Sequence, residues 1–507
     1  MIPNSPPSAP FMNDAQRGAA RKVILFTAFL DVLGFSIIIP QLAVYAAQFG
    51  ATAQMTGFLA SIYSIMGFLF TPFWGRLSDR LGRRPVLLYS IFGTTLSHVL
   101  FAFAGSLNLL FAARTLDGIT GANISTAQAY LSDITPPEER AKNFGYFGAI
   151  FGIAFAIGPL LGSALTHLPG AWGGNLGLGL FSAFLSFINW TLAMRFLPET
   201  LSPEIRALNE QKPKSSLINV SGFSRALQIP RLNTILVIGF LATAAFATIQ
   251  GTYALFILKD YTRPLVQNDI KNNPQAAVER AKELRGAESG GPTPFAPEEG
   301  GAVLDNSDLT APYPAALGGD FDLEDQTAPE GYSWRHIEKL IVRPESARLV
   351  GYIFGVIGLL SLVVQGGLIR PLQKHFSEMT LVLAGTFIMA IGLISTSLVS
   401  GIIPGAIWGQ FLTAGILTLG NGLSTPVLTS LVSQLAPESE QGEIIGIYQS
   451  TQSLGRIVGP NLGGFLFGAV SSGAPFIAGG IIMLASFALA FQLRRSGVMG
   501  KTLASAP

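Results

Sequence analysis

Twelve apolar stretches, most of them twenty residues or longer, run through this chain near 23–47, 54–75, 85–104, 109–131, 143–165, 176–197, 233–257, 348–369, 379–400, 404–429, 442–468 and 473–493. A helix rises about 1.5 Å per residue, so roughly twenty apolar residues cross the hydrocarbon of a bilayer. Runs of that length, without an amphipathic stripe, exclude a soluble fold of any class. Only 12% of the 507 residues are charged, where a soluble domain has about 25%. The 57 Gly and 31 Pro fit helices that pack closely and bend inside a membrane. The expectation is an all-α polytopic membrane protein. Its polar start precedes an apolar run too long for a signal peptide's core, so no cleavable leader is expected.

Lys and Arg in short loops set the orientation. With a cytoplasmic N-terminus, 20 of the 32 basic residues fall on the inside, and the short outer loops near 48–53, 105–108, 166–175, 401–403 and 469–472 hold none. An even number of spans puts both ends in the cytoplasm, in the plasma membrane (the inner membrane of a bacterium). Of the deep charges, only Asp31, Arg114, Asp117 and Arg456 lie well within spans. Ionisable groups at that depth are functional candidates by default.

A shift of 301 residues aligns Pro136 with Pro437, Glu139 with Glu440, Gly145 with Gly446, Gly158-Pro159 with Gly459-Pro460, Leu161 with Leu462 and Gly162 with Gly463. The two halves therefore read as copies: a tail over 1–22, a six-helix bundle over 23–197, a linker over 198–232, a second bundle over 233–493 and a tail over 494–507. The second bundle is interrupted by 258–347, an acidic segment expected outside and largely flexible, with short helices near 273–285 and from Ser333.

Between the second and third stretches stands Gly75-Arg76-Leu77-Ser78-Asp79-Arg80-Leu81-Gly82-Arg83-Arg84. Gly82 suits a tight turn, the arginines suit lipid phosphates, and Asp79 can pair with an arginine or a helix N-terminus. Taken by itself the string is a topology determinant. It also resembles the signature loop of the major facilitator superfamily, matching at Gly75, Asp79, Arg80, Gly82, Arg83 and Arg84. Arg114 to Gly121 resembles that family's helix 4 motif. Gly158-Pro159-Leu160-Leu161-Gly162-Ser163 resembles its helix 5 antiporter motif, and Asp31-Val32-Leu33-Gly34 with Pro40 resembles helix 1 of drug/proton antiporters. The resemblance is to the tetracycline/multidrug proton antiporter-like branch and covers the chain except 258–347. It implies two pseudo-symmetric six-helix bundles, alternating access around a midplane site, a cytoplasmic gate at the signature loop, and proton coupling through Asp31 and Arg114. The chain departs from tetracycline exporters at Ser97-His98 and Gly67, where they carry an acid and a Gln, and has no acid over 380–400. Tetracycline itself is therefore not carried over as substrate.

A proton carrier needs a carboxylate that can be desolvated and can also meet a cation. Asp31 suits this, with Arg114 a possible partner across the bundle; a static buried pair is the other reading. Asp117, three residues after Arg114, can instead neutralise it on the same helix face. Arg456 can hold an anionic group, a carbonyl or a structural partner. Asp117, Asn123, Gln128, Gln250, Gln365, Asn421, Gln452 and Arg456 are candidate cavity residues, each open to the alternative of an interhelical hydrogen bond. The kink motifs Gly158, Pro159, Gly162, Gly459, Pro460 and Gly463 read equally as packing or as gating.

The absence of Cys excludes disulfides and thiolate chemistry, and four scattered His make no metal pattern. No nucleotide-binding string is present. The expected protein is a monomeric transporter, not an enzyme, with no cofactor, metal, nucleic acid or nucleotide. Its partners would be lipid, protons and small amphipathic compounds exported by antiport. The alternatives are a sugar or metabolite symporter or uniporter, and a receptor built on a transporter scaffold.

Overall fold

The computed structural model describes residues 12–121, 123–136, 139–166, 168, 172, 174–201, 220–266, 342–402, 407–436 and 441–495. Helix α1 (Asp14–Gln48) starts at a capping box, in which Asn13 and Gln16 exchange side-chain and backbone bonds. Next come α2 (Ala53–Leu81), α3 (Arg83–Ala102), α4 (Leu107–Thr120), α5 (Asn123–Ile134), α6 (Arg140–Thr166) and α7 (Gly174–Phe196). A short amphipathic helix, α8 (Val220–Gln228), precedes the second bundle. That bundle comprises α9 (Leu232–Ile257), α10 (Arg343–Val363), α11 (Ile369–His375), α12 (Glu378–Ile402), α13 (Ile407–Leu435), α14 (Gln441–Ala469) and α15 (Ala474–Arg495). Counting α4–α5 and α10–α11 as single crossings gives twelve, with both described ends on one face, called here the terminal face.

Among the described residues, ten helices are long and apolar enough to cross a membrane. The other two crossings are the broken α4–α5 and α14, which carries Glu443, Gln449, Gln452, Arg456 and Asn461. The fourth stretch, expected to be continuous over 109–131, breaks at Gly121. At the break the Ser90 hydroxyl of α3 lies against the Thr120 carbonyl, giving that carbonyl a partner outside the helical ladder.

The expected boundaries also shift around the insertion. α9 runs on through a π-turn, Leu258–Thr262, to residue 266, and α10 starts at Arg343 and reaches α11 through a second π-turn, Val364–Leu368. Both ends of the expected 258–347 segment thus belong to spans. Residues 267–341, including the short helices expected near 273–285 and from Ser333, lie outside the described residues, as do 202–219 of the linker. Gly75, Asp79 and Arg80 belong to α2, and only Gly82 forms the turn. Its φ of +112° suits glycine alone, and a Cβ there would meet the Glu199 carboxylate.

The glycines of the kink motifs serve close approach. A Cβ on Gly158 or Gly162 would strike Ser36 or the Ile37 carbonyl of α1, and one on Gly459 or Gly463 would strike the Ala244 or Thr248 carbonyl of α9. The prolines beside them face the opposite bundle. The Pro460 carbonyl lies against Gly57 of α2, and the Pro159 carbonyl lies against Gly351 of α10. The same device thus appears in both halves, as the 301-residue alignment implies.

Among the described residues the tightest contacts between the bundles lie toward the face opposite the termini. There α2 packs on α14 and α10 on α6, with Ser61 donating to the Ile457 carbonyl (3.1 Å), Asn461 donating to Ser61 (2.8 Å) and Gln41 donating to the Ala347 carbonyl (3.0 Å). The apolar core of the second bundle runs on into Ala43, Val44, Ala47 and Ala53 of the first. Nearer the termini the bundles keep separate cores. On the facing helices, Gly67, Gly75 and Gly446 have nothing within 4 Å of a Cβ position. Among the described residues the bundles close against each other at the far face and part toward the terminal face.

Candidate functional site

The signature loop is held together from four helices. Arg83 bonds Asp79 (2.6 Å), Ser78 (3.0 Å) and Asp133 of α5 (3.0 Å). Glu199, just after α7, accepts from the backbone N–H of Arg83 (2.9 Å) and of Arg84 (3.1 Å), capping α3 where its dipole is positive. Arg84 donates to the Met194 carbonyl at 2.7 Å, and Thr200 donates to Asp133 at 3.1 Å. All of these groups belong to the first bundle, so the motif braces α2, α3, α5 and the end of α7 as one body.

Sequence reasoning missed Asp133 and Glu199. Glu199 stands in Pro198-Glu199-Thr200, which reads as linker, and Asp133 carries no local signal because its partner is 50 residues away. Glu199→Gln should weaken the cap by about 1 kcal/mol. A lower melting temperature with substrate affinity unchanged would check this, and an unchanged melting temperature would contradict it.

Deep in the first bundle, α1, α3, α4 and α5 converge on the second group of charges. Of the two partners open to Arg114, Asp31 across the bundle and Asp117 on its own helix, the structure has Asp117, and Asp31 is held separately. Arg114 pairs with Asp117 one turn along α4, at 2.7 Å, with both side chains almost fully buried. Asp31 accepts a hydrogen bond from Asn123, which also donates to Thr94 (3.2 Å) and accepts from Ser90. Helix geometry explains the choice, since the i,i+3 spacing brings Arg114 to Asp117 without any movement between helices.

Arg114 lies over the rings of Phe35 and Tyr63, 5.3 and 4.9 Å from their centroids. Its Nε and Nη2 are buried without a hydrogen-bond acceptor. His98 bonds Ser186 (3.0 Å) and sits against Gly34, where a Cβ would stand 3.2 Å from the ring. Tyr63, Ser90 and Thr94 were not legible as site residues, because an aromatic or a hydroxyl in an apolar span looks like packing.

The other cavity candidates divide. Arg456 and Gln452 lie on α14, and Arg456 donates to Ser453 at 2.9 Å. Gln128 lies on α5, half-buried, and Gln365 is exposed on the π-turn after α10. Asn421 accepts from Thr425 on its own helix (3.0 Å), and Gln250 precedes Gly251, which packs on Gly57 at the far-face seal. Asn123 is not a free cavity residue, since it is the partner of Asp31. Among the described residues no group of His, Asp and Glu could hold a metal ion.

The family model of the Major Facilitator Superfamily matches residues 24–266 and 319–505. The class C tetracycline resistance protein of Escherichia coli is 28% identical over 472 residues, 91% of this chain and 94% of that protein. The class H tetracycline resistance protein of Pasteurella multocida is 33% identical over 204 residues, 39% of this chain, and the match spans about half of that protein (49%). Among solved structures, the human organic anion transporter MFSD10 superposes with a TM-score of 0.58, covering 96% of this chain and 100% of that one. At 19% identity that likeness speaks for the fold alone.

Proposed function

The chain belongs to the major facilitator superfamily, and on that premise we propose that it exports small amphipathic organic compounds in exchange for protons, by alternating access. Membership makes it a membrane transporter of small molecules and not an enzyme. Export is favoured by its end-to-end similarity to a tetracycline resistance protein. Both termini and the signature loop face the cytoplasm in this reading, and residues 267–341 lie outside. The terminal-face opening is then the cytoplasmic entrance.

One observation carries proton coupling: among the described residues, Asp31 is a buried carboxylate whose hydrogen-bond donor is an amide rather than a cation. Protonating Asp31 would leave no guanidinium unpaired. Protonating Asp117 would strand Arg114 in a low-dielectric interior, which is costly. Asp31 is therefore the carrier and Asp117 the fixed counter-ion. The unsatisfied N–H groups on Nε and Nη2 of Arg114 supply the cation that Asp31 would meet once its proton leaves.

The test is flux into proteoliposomes under an imposed pH gradient, over a panel of cationic, neutral and anionic aromatic compounds. Uphill movement of at least one class, collapsed by a protonophore, is expected. Movement unaffected by the protonophore would favour a uniporter.

A further inference from the structure

Arg456 is the one charge deep within the spans of the second bundle; elsewhere in those spans the charged residues, such as Glu443, stand near helix ends. Its single hydrogen bond among the described residues goes to Ser453, one turn back on α14, and no carboxylate pairs with it. The acids of the first bundle are already engaged, Asp117 by Arg114 and Asp31 by Asn123. A guanidinium has five N–H donors, and four of these remain to be satisfied. Unlike Nε and Nη2 of Arg114, none of the Arg456 nitrogens is sealed inside protein without a partner, and the side chain keeps some accessible surface.

Its position is informative. Arg456 immediately precedes Ile457, whose carbonyl takes the Ser61 bond of the far-face seal. Tyr63 stands two residues after Ser61 on α2, and Arg114 lies over its ring, 4.9 Å from the centroid. Arg456 and Tyr63 thus stand next to the Ser61–Ile457 contact, on α14 and α2, and one turn further along α2 Gly67 has nothing within 4 Å of a Cβ position. Phe35 stacks near Tyr63 (ring centroids 4.9 Å) and Phe155 lies against Phe35 (6.4 Å), adding aromatic wall. A small number of polar groups set into an apolar, aromatic cavity is the usual make-up of a ligand site.

We propose that Arg456 and Tyr63 form an anion subsite for the transported compound, Arg456 taking a carboxylate through its guanidinium fork while an aromatic body lies against Tyr63 and Phe35. Arginine matches a carboxylate bidentately, and the interaction gains strength where water is scarce. Substrates of this transporter are thus aromatic carboxylates or zwitterions rather than simple cations. The assignment deepens the transport reading and rests on it.

Equilibrium dialysis with purified full-length protein tests it, using dansylglycine as the carboxylate probe and dansylamide as its neutral counterpart. Wild type should bind dansylglycine the more tightly. Arg456→Gln should lose about tenfold or more for dansylglycine, with little change for dansylamide, and Arg456→Lys should lose less. Asp31→Asn should still bind dansylglycine, so loss of proton coupling and loss of the subsite are separable. The wild-type comparison of the two probes needs no mutant to fold. Failure of wild type to prefer the carboxylate, or to bind it, would overturn the proposal. So would unchanged dansylglycine affinity in Arg456→Gln with flux alone reduced, which would make Arg456 a partner in the conformational cycle instead.

Discussion

Asp31→Asn should abolish uphill transport driven by a pH gradient, down to the level of empty liposomes, while the protein remains inserted and monodisperse. The amide keeps the shape of the carboxylate and can still bond Asn123, so the polar cluster with Ser90 and Thr94 has a partner for each group. What it loses is the exchangeable proton. Asp117→Asn should behave differently, because it leaves the buried Arg114 charge without its counter-ion. Removing one partner of a buried pair costs roughly 3–5 kcal/mol, so this variant should show reduced yield and thermal stability. Uphill transport by Asp31→Asn at the wild-type rate would remove Asp31 from the coupling step.

Gly57→Val should trap the transporter with its far face unsealed. A Cβ at Gly57 would stand 2.2 Å from the Pro460 carbonyl and 3.3 Å from the Gly464 Cα, both backbone atoms that cannot turn aside. The chain has no cysteine, so spin labels can be attached to Cys introduced at Met55 and Val470, both exposed near the far face. Pulsed dipolar spectroscopy should report a longer distance in Gly57→Val than in the otherwise identical double-Cys protein, together with loss of turnover. Gly67→Val, which meets no atom within 4 Å, is the control for the distance and should leave it nearly unchanged. An unaltered 55–470 distance in Gly57→Val would mean that this contact is not the seal.

The spans and the family were legible because a bilayer imposes one length and one composition on anything that crosses it. Asp31, Arg114, Asp117 and Arg456 stood out for the same reason, each being expensive where it lies. Pairing was less legible. Which acid meets Arg114 depends on a fraction of a helical turn, so the sequence left Asp31 and Asp117 both open where the structure has Asp117. The break at Gly121 was hidden because the hydroxyl that meets the freed Thr120 carbonyl, that of Ser90, sits on another helix. Glu199 and Asp133 were hidden by chain distance, since a cap supplied from 116 residues away leaves no trace in local sequence. The kink motifs gave the clearest return, with each glycine facing its own bundle and each proline carbonyl facing the other.

The central claim is that protons and substrate cross in opposite directions. Proteoliposomes loaded with pyranine, a pH-sensitive dye, and given dansylglycine and other members of the panel from outside with no initial pH gradient, report it directly. Substrate entering down its gradient should drive protons out and raise the internal pH, and Asp31→Asn should abolish that rise. Acidification of the lumen in step with substrate entry would instead establish symport and contradict the assignment as an antiporter.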